Sequence, residues 1–201
     1  MMVYKIGLIS THGTGKTALA GLIVGELKRR GISAIALKEM STAAKERGLP
    51  INEQTTPETQ LWILHRQFAE ELLYSQERLG QQYQVIICDR GPDNYCYLKH
   101  RFGDDPYALQ LVLGHLQKFP YAKLYFLPII DAIIAQDGLR AINPEFQRIM
   151  DTEIRSFIAT HSISCAELPV PQQEDAFRNE WVKIIVNQTL QDLDIAQQYW
   201  M

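Results

Sequence analysis

The chain has 201 residues, 46% hydrophobic and 21% charged, which is enough apolar material for a sizeable core and predicts one α/β domain over residues 1–201. Twenty basic residues against 23 acidic ones give a formal charge of −3 with no long run of either sign; this argues against a nucleic-acid surface or a polybasic membrane patch and for a small polyanion held locally. Cys88, Cys96 and Cys165 lack paired C-x-x-C spacing, the longest uncharged apolar run (Leu124 to Ile130) falls far short of a membrane span, and no secretion signal or anchor is expected, so the expected compartment is a reducing cytoplasm.

Val3 to Ile9 is an apolar run predicted as the first strand. It leads directly into Ser10-Thr11-His12-Gly13-Thr14-Gly15-Lys16-Thr17, and a helix is predicted from Lys16 to Arg30, closed by Gly31. A strand, a glycine-rich loop and a helix in that order are what a phosphate-binding loop requires. Glycines at 13 and 15 allow a tight turn that directs successive N–H groups inward, at the positive end of a helix. His12, Gly13, Thr14, Gly15, Lys16 and Thr17 are therefore the expected nucleotide-binding residues, with His12 as spacing or a side contact. Lys16 would reach the β- and γ-phosphates, and the Thr17 hydroxyl would ligate Mg²⁺. Ser10 stands where the motif has its first glycine. The competing reading is an ordinary glycine-rich turn with a solvated lysine.

Ser33 to Leu37 is the second predicted strand, and Glu39 follows it. The carboxyl ends of strands line the ligand crevice of an open α/β sheet, so Glu39 is the candidate general base, set against the alternative of a solvated glutamate. Between Thr56 and Gly80, Leu61, Leu64, Phe68 and Leu72 recur at helical spacing, with Thr56 as N-cap and Pro57 at the first helical position. Trp62 and Phe68 are expected in a packed face of this helix. Val85 to Cys88 is the third strand, ending in Asp89-Arg90-Gly91. An acid at that strand tip can hold the Mg²⁺ shell, which makes Asp89 the second expected metal residue, while the Arg90 guanidinium can grip a phosphate or an acceptor with a bidentate fork. The alternative is a surface Asp-Arg pair at a turn.

Helices are expected near 93–101, 105–118, 144–160 and 173–191, with further strands at Leu124 to Leu127 and Ile163 to Leu168. Tyr95, Tyr97, Lys99 and Arg101 fall on a helix read as solvated, with acceptor contact as the alternative. The segment 128–143 carries Gln136-Asp137-Gly138-Leu139-Arg140 and suits a lid, in which Arg140 would neutralise charge on the transferred phosphoryl group; pairing with Asp137 on the surface is the alternative. His65, His100, His115 and His161 have no metal-like spacing. The alternation of strand and helix predicts a three-layer fold with a central five-stranded parallel sheet.

Thr11 to Thr17, Lys38-Glu39, Gln60-Leu61-Trp62-Ile63-Leu64, Asp89-Arg90-Gly91, and Asp137-Gly138-Leu139-Arg140 ahead of Glu145-Phe146 together resemble a known family. It is the P-loop kinase-like domain family typified by the ribosylnicotinamide kinase domain of the bacterial nicotinamide-nucleotide regulator, grouped with AAA-type ATP-binding domains. The resemblance covers about residues 3 to 190, and the Asp-Arg step is also similar to that of thymidylate and deoxynucleoside kinases. It implies ATP and Mg²⁺ binding, a P-loop NTPase fold of the nucleoside and nucleotide kinase type, phosphoryl transfer to a small-molecule acceptor, and pairing as a homodimer. Lys16, Glu39, Asp89, Arg90 and Arg140 are the residues expected to carry the transfer.

Two functions fit these residues. One is a kinase that moves the γ-phosphate of MgATP to a nucleoside or nucleotide-like metabolite. The other is a regulatory ATPase or switch protein without an acceptor. The length leaves no room for the extra helical domain of a full AAA module, and the guanine-recognition pattern N-K-x-D is absent, both of which favour the kinase.

Overall fold

The computed structural model describes residues 3–76, 82–130, 143–170 and 177–198. Strands β1 (Tyr4–Ile9), β2 (Ala34–Leu37), β3 (Val85–Asp89), β4 (Lys123–Phe126) and β5 (Ala166–Glu167) form one sheet in the order β2-β3-β1-β4-β5. Every pairing is parallel. The helices between them are α1 (Lys16–Arg29), α2 (Met40–Glu46), α3 (Pro57–Tyr74), α4 (Asn94–Phe102), α5 (Pro106–Lys118), α6 (Pro144–Thr160) and α7 (Phe177–Gln198), with a single 3₁₀ turn at Asn52–Gln54.

The helices lie on both faces of the sheet because the central strands are apolar on both sides. In β1, Ile6 and Leu8 pack with Leu19, Ile23 and Leu27 of α1 and Trp181 and Ile185 of α7. Ile9 points the other way, into a cluster with Leu64 and Phe68 of α3, Leu98 of α4, Val112 of α5 and Ile154 of α6. Gly7 is forced by close packing, since a Cβ there would stand 2.4 Å from Leu124 Cδ2 and 3.0 Å from the Tyr121 ring.

Local signals account for most boundaries. Thr56 caps α3 by accepting from the Thr59 N–H at 3.2 Å, and Asn143 caps α6 by accepting from the N–H groups of Glu145 and Phe146. Gly31, at φ 80°, closes α1: its N–H bonds to the Lys28 carbonyl, and the Ile32 N–H to that of Leu27. Helix α2 was not anticipated from sequence. It has seven residues, and its closing Gly48, at φ 73°, repeats the same two-bond motif through Lys45 and Ala44. The fifth strand is shorter than the expected Ile163 to Leu168, because the chain is still ending α6 there. Ser162 occupies φ 51°, and the N–H groups of Ser162 and Ile163 bond back to the carbonyls of Ala159 and Ile158, leaving only two residues to pair with β4. Helix α3 ends at Tyr74, with Ser75 as its C-cap, short of Gly80; the expected start of the last helix near residue 173 lies outside the described residues, as does most of the lid segment, including Arg140. Among the described residues, no helix is long and apolar enough to cross a membrane.

Replacing Gly31 with Ala puts a Cβ into the left-handed region and is expected to lower stability by about 1 kcal/mol, read as a lower urea midpoint with an unchanged m-value.

Candidate active site

The carboxyl ends of β1, β2 and β3 bring together residues that lie far apart in the chain. Residues 10–15 leave β1 and turn into α1 at Gly15, which sits in the left-handed region at φ 82°. No side chain caps α1 and no acidic residue lies in its first turn, so its opening N–H groups and dipole remain available to an anion. The loop is braced internally by Ser10 Oγ and Thr14 Oγ1 at 2.5 Å, and Thr14 Oγ1 donates to the Thr11 carbonyl. It is braced from outside by α6, where Gln147 Nε2 donates to the His12 carbonyl at 2.9 Å and the Phe146 ring lies 5.2 Å from that of His12.

Lys16 is buried, and its ammonium is folded onto the loop. It donates to Thr11 O at 2.6 Å, Ser10 Oγ at 2.9 Å and Ser10 O at 3.2 Å. Burial, reinforced by the Arg90 cation, pushes its pKa down to about 7. The parallel register sets Leu8 opposite Asp89, which carries the acid to the mouth of the loop, and Thr17 Oγ1 donates to Asp89 Oδ2 at 2.5 Å. Asp89 Oδ1 is buried without a hydrogen-bond partner among the described residues. Burial pushes this carboxyl above the ordinary aspartate range, against the pull of Lys16 and the Thr17 hydroxyl. A hydroxyl and a carboxylate with a free buried oxygen, beside an uncapped phosphate loop, form an oxygen donor set suited to Mg²⁺. Among the described residues, no cluster of three or more His, Cys, Asp or Glu offers a different kind of metal site.

Opposite the loop stands a second charged group. Arg90 is buried, and its Nε bonds to Glu39 Oε1 at 3.2 Å while Nη1 bonds to Asp93 Oδ2 at 3.1 Å and reaches Ser10 O at 3.5 Å. Its guanidinium also lies 4.7 Å from the centre of the Tyr97 ring. Glu39 sits at the N-cap of α2, just beyond the end of β2. Burial pushes its carboxyl up, but Arg90 and Lys16 outweigh that, and it is held below its ordinary value and stays ionised at neutral pH. Asp93 also receives the Gly91 N–H at 2.7 Å. Lys16, Thr17, Glu39, Asp89 and Arg90 are thus gathered at one end of the sheet, whereas Arg140 falls outside the described residues.

Asp93 and Arg178 carry no site signal of their own in the sequence; Asp93 pairs with Arg90, and Tyr97, on a helix read as solvated with acceptor contact as the alternative, turns its ring to Arg90. Arg178, at the start of α7, lays its guanidinium over the loop: Nη2 and Nε lie 3.8 and 3.9 Å from where a Cβ of Gly15 would be. The nearby Trp181 is fully buried and donates its indole N–H to the Pro169 carbonyl at 2.8 Å, which fixes this end of α7. No local pattern marks Arg178, since its approach depends on the last helix packing against the first.

Residues 5–175 match the family described as an AAA domain, and the chain belongs to that family. Its fold is that of a P-loop kinase-like domain of the NadR and nucleoside kinase type. Among solved structures, a NadR protein in complex with NR is similar with a TM-score of 0.69 at 13% identity, over 92% of this chain and 51% of that one, so the present chain spans about half of NadR's length. Deoxyadenosine kinase from M. mycoides, with products dCMP and a flexible dCDP bound, is similar with a TM-score of 0.59 at 14% identity, over 93% and 99% of the two chains. The same enzyme with bound dCTP gives a TM-score of 0.54 at 11% identity. No match among curated protein sequences is significant.

With its pKa lowered to about 7 by burial and the Arg90 cation, Lys16 is expected to lose its proton in the free protein as pH rises above that value, and a polyphosphate beside it favours the ammonium form. Binding of a nucleotide polyphosphate in that range is therefore expected to take up a proton, and affinity is expected to fall as pH rises above 7. Calorimetric titration in buffers of different ionisation heat reads this directly; a binding heat independent of buffer contradicts it.

Proposed function

We propose that the protein is an ATP-dependent kinase that transfers the γ-phosphate of MgATP to the hydroxyl of a nucleoside or nucleotide-like metabolite. The observation that carries this reading is the buried Glu39–Arg90–Asp93 group facing the phosphate loop. A nucleotide switch needs the loop alone, whereas a second charged group across the crevice has the composition of an acceptor site.

In this reading the phosphates rest on the amides of residues 13–17, and Lys16 leaves the Ser10 and Thr11 carbonyls to meet them. Thr17 and Asp89 hold Mg²⁺, which when bound neutralises triphosphate charge. Arg178 adds a second cation at the loop's rim, positioned to reach phosphate oxygens beside Gly15. Arg140, from the lid segment, supplies charge as transfer proceeds. Glu39 accepts the acceptor's proton or orients its hydroxyl, and its lowered pKa keeps it ionised, though as a weak base, at neutral pH. Arg90 faces two carboxylates, Glu39 and Asp93, so the three together carry one net negative charge. That favours an acceptor presenting a neutral hydroxyl here over one presenting a phosphate.

The test is incubation with MgATP and a panel of nucleosides, nucleoside monophosphates and nicotinamide riboside, following ADP release and acceptor mass. Acceptor-dependent ADP and a product heavier by one phosphoryl group are expected; slow ADP release that no acceptor stimulates favours the switch. Glu39→Gln is expected to lower kcat by about a hundredfold or more with MgATP affinity unchanged. Arg178→Ala is expected to weaken both MgATP and Mg-tripolyphosphate by about tenfold, as loss of a phosphate contact requires; loss confined to MgATP would reassign Arg178 to the base or ribose.

A further inference from the structure

A lysine in the centre of a parallel sheet is costly unless fully paired, and Lys5 of β1 is buried at 5% exposure. Its ammonium donates to Glu71 Oε2 at 2.7 Å and to the Phe119 carbonyl at 2.7 Å, and it lies 4.1 Å from the centre of the Tyr121 ring. Glu71, on α3, is itself 1% exposed and filled at both oxygens. Oε2 also meets His115 Nε2 at 2.9 Å, and Oε1 receives Gln67 Nε2 at 2.9 Å and the Tyr121 hydroxyl at 2.5 Å. Burial pushes the carboxyl up, but bonds from His115, Lys5 and Tyr121 outweigh it and hold it below its ordinary value. An assembly of this kind contributes little net stability compared with apolar residues of the same volume, so what it positions matters more than what it stabilises.

It positions the turn after β3. Gln67 Nε2, besides binding Glu71, donates to the backbone carbonyl of Arg90 at 3.3 Å. The Tyr121 hydroxyl lies directly under Gly91, 3.1 Å from where a Cβ would be, so any larger residue there would have to displace the Tyr121 ring by a few tenths of an ångström. Between these two contacts the Arg90 backbone is held at φ 124°, a region that non-glycine residues rarely adopt. Such a conformation is costly and persists only where the surroundings over-determine it. The strained turn is what sends the Arg90 side chain toward Glu39 and Asp93 while Asp89, one residue earlier, faces Thr17.

We propose that the buried Lys5–Glu71–Gln67–Tyr121 network is a positioning device for the Asp89–Arg90–Gly91 turn, with Gln67 and Tyr121 as the residues that transmit it. Its effect on transfer rests on the kinase reading above; its effect on the turn does not. Glu71 holds Gln67 and Tyr121 in place, Gln67 grips the carbonyl of Arg90, and Tyr121 sets the floor beneath Gly91. All four lie beneath the turn and act on the site through it.

The experiment uses Gln67→Met, which keeps side-chain length and loses both donated bonds, with Tyr121→Phe as a second variant that keeps the ring. Three quantities are read in the full chain: amide hydrogen exchange over residues 89–96, MgADP affinity, and acceptor-dependent transfer alone and in an Arg90→Ala background. Exchange at Gly91 and Asn94 is expected to speed up about tenfold in Gln67→Met, with MgADP affinity within about twofold of wild type. Transfer efficiency is expected to fall about tenfold, and the substitution is expected to add nothing once Arg90 is Ala, since positioning through Arg90 makes the two changes non-additive. Full additivity, or a fall in MgADP affinity equal to the fall in transfer, overturns the proposal and leaves Gln67 a general core residue. Should the wild-type protein transfer to no acceptor, the kinase reading fails by itself. Exchange then decides the positioning claim: unchanged protection over 89–96 in both variants overturns it, and faster exchange confined to that segment upholds it.

Discussion

Parallel pairing of β1 with β3 is the constraint on which the site depends. With Leu8 opposite Asp89, the loop after one strand and the acid ending the other come to the same edge of the sheet, where Thr17 Oγ1 and Asp89 Oδ2 meet at 2.5 Å. A shift of one residue would turn Asp89 to the other face and place Cys88, now buried in the sheet, at the mouth of the loop. The register is secured by the apolar alternation of both strands, so the force that aligns the candidate metal ligands is hydrophobic burial in the two layers beneath them.

Charge at this edge is arranged in two compartments. Near the loop, Lys16 is hydrogen-bonded to carbonyl and hydroxyl oxygens and to no carboxylate, and burial together with the Arg90 cation keeps its pKa low. Across the crevice, Arg90 is committed to Glu39 and Asp93 before any ligand arrives. A cation free to change partners suits a mobile polyanion, and one clamped between carboxylates suits a fixed wall. Different degrees of commitment thus divide the roles of the two buried cations.

The third buried cation, Lys5, joins neither compartment. It belongs to a layer of polar side chains sealed under α3 and α5, where Glu71 collects bonds from four residues on separate elements. That layer reaches the site through Gln67 and Tyr121, and the backbone they hold is that of Arg90, a non-glycine residue at φ 124°. Rigidity beneath a charged turn lets Arg90 keep a fixed direction without help from a bound substrate.

The sequence by itself determined the elements whose signals are local. The glycine spacing and lysine of residues 10–17 specify a loop because backbone freedom and a helix terminus are properties of adjacent residues, and Thr56, Pro57 and Gly31 mark helix ends for the same reason. Asp89, Arg90 and Glu39 could be singled out because strand tips in a parallel sheet share one edge. The tertiary structure alone decided what depends on residues distant in the chain. It shortened β5, because the end of α6 occupied the residues that would have extended it, and it turned Tyr97 from an expected solvated face onto Arg90. It also brought Arg178 to Gly15 across 163 residues of chain and gathered Lys5, Glu71, His115 and Tyr121 into one buried cluster. Such contacts leave no periodic trace in sequence, because a side chain's partners across the core are chosen by how helices pack and not by its neighbours in the chain.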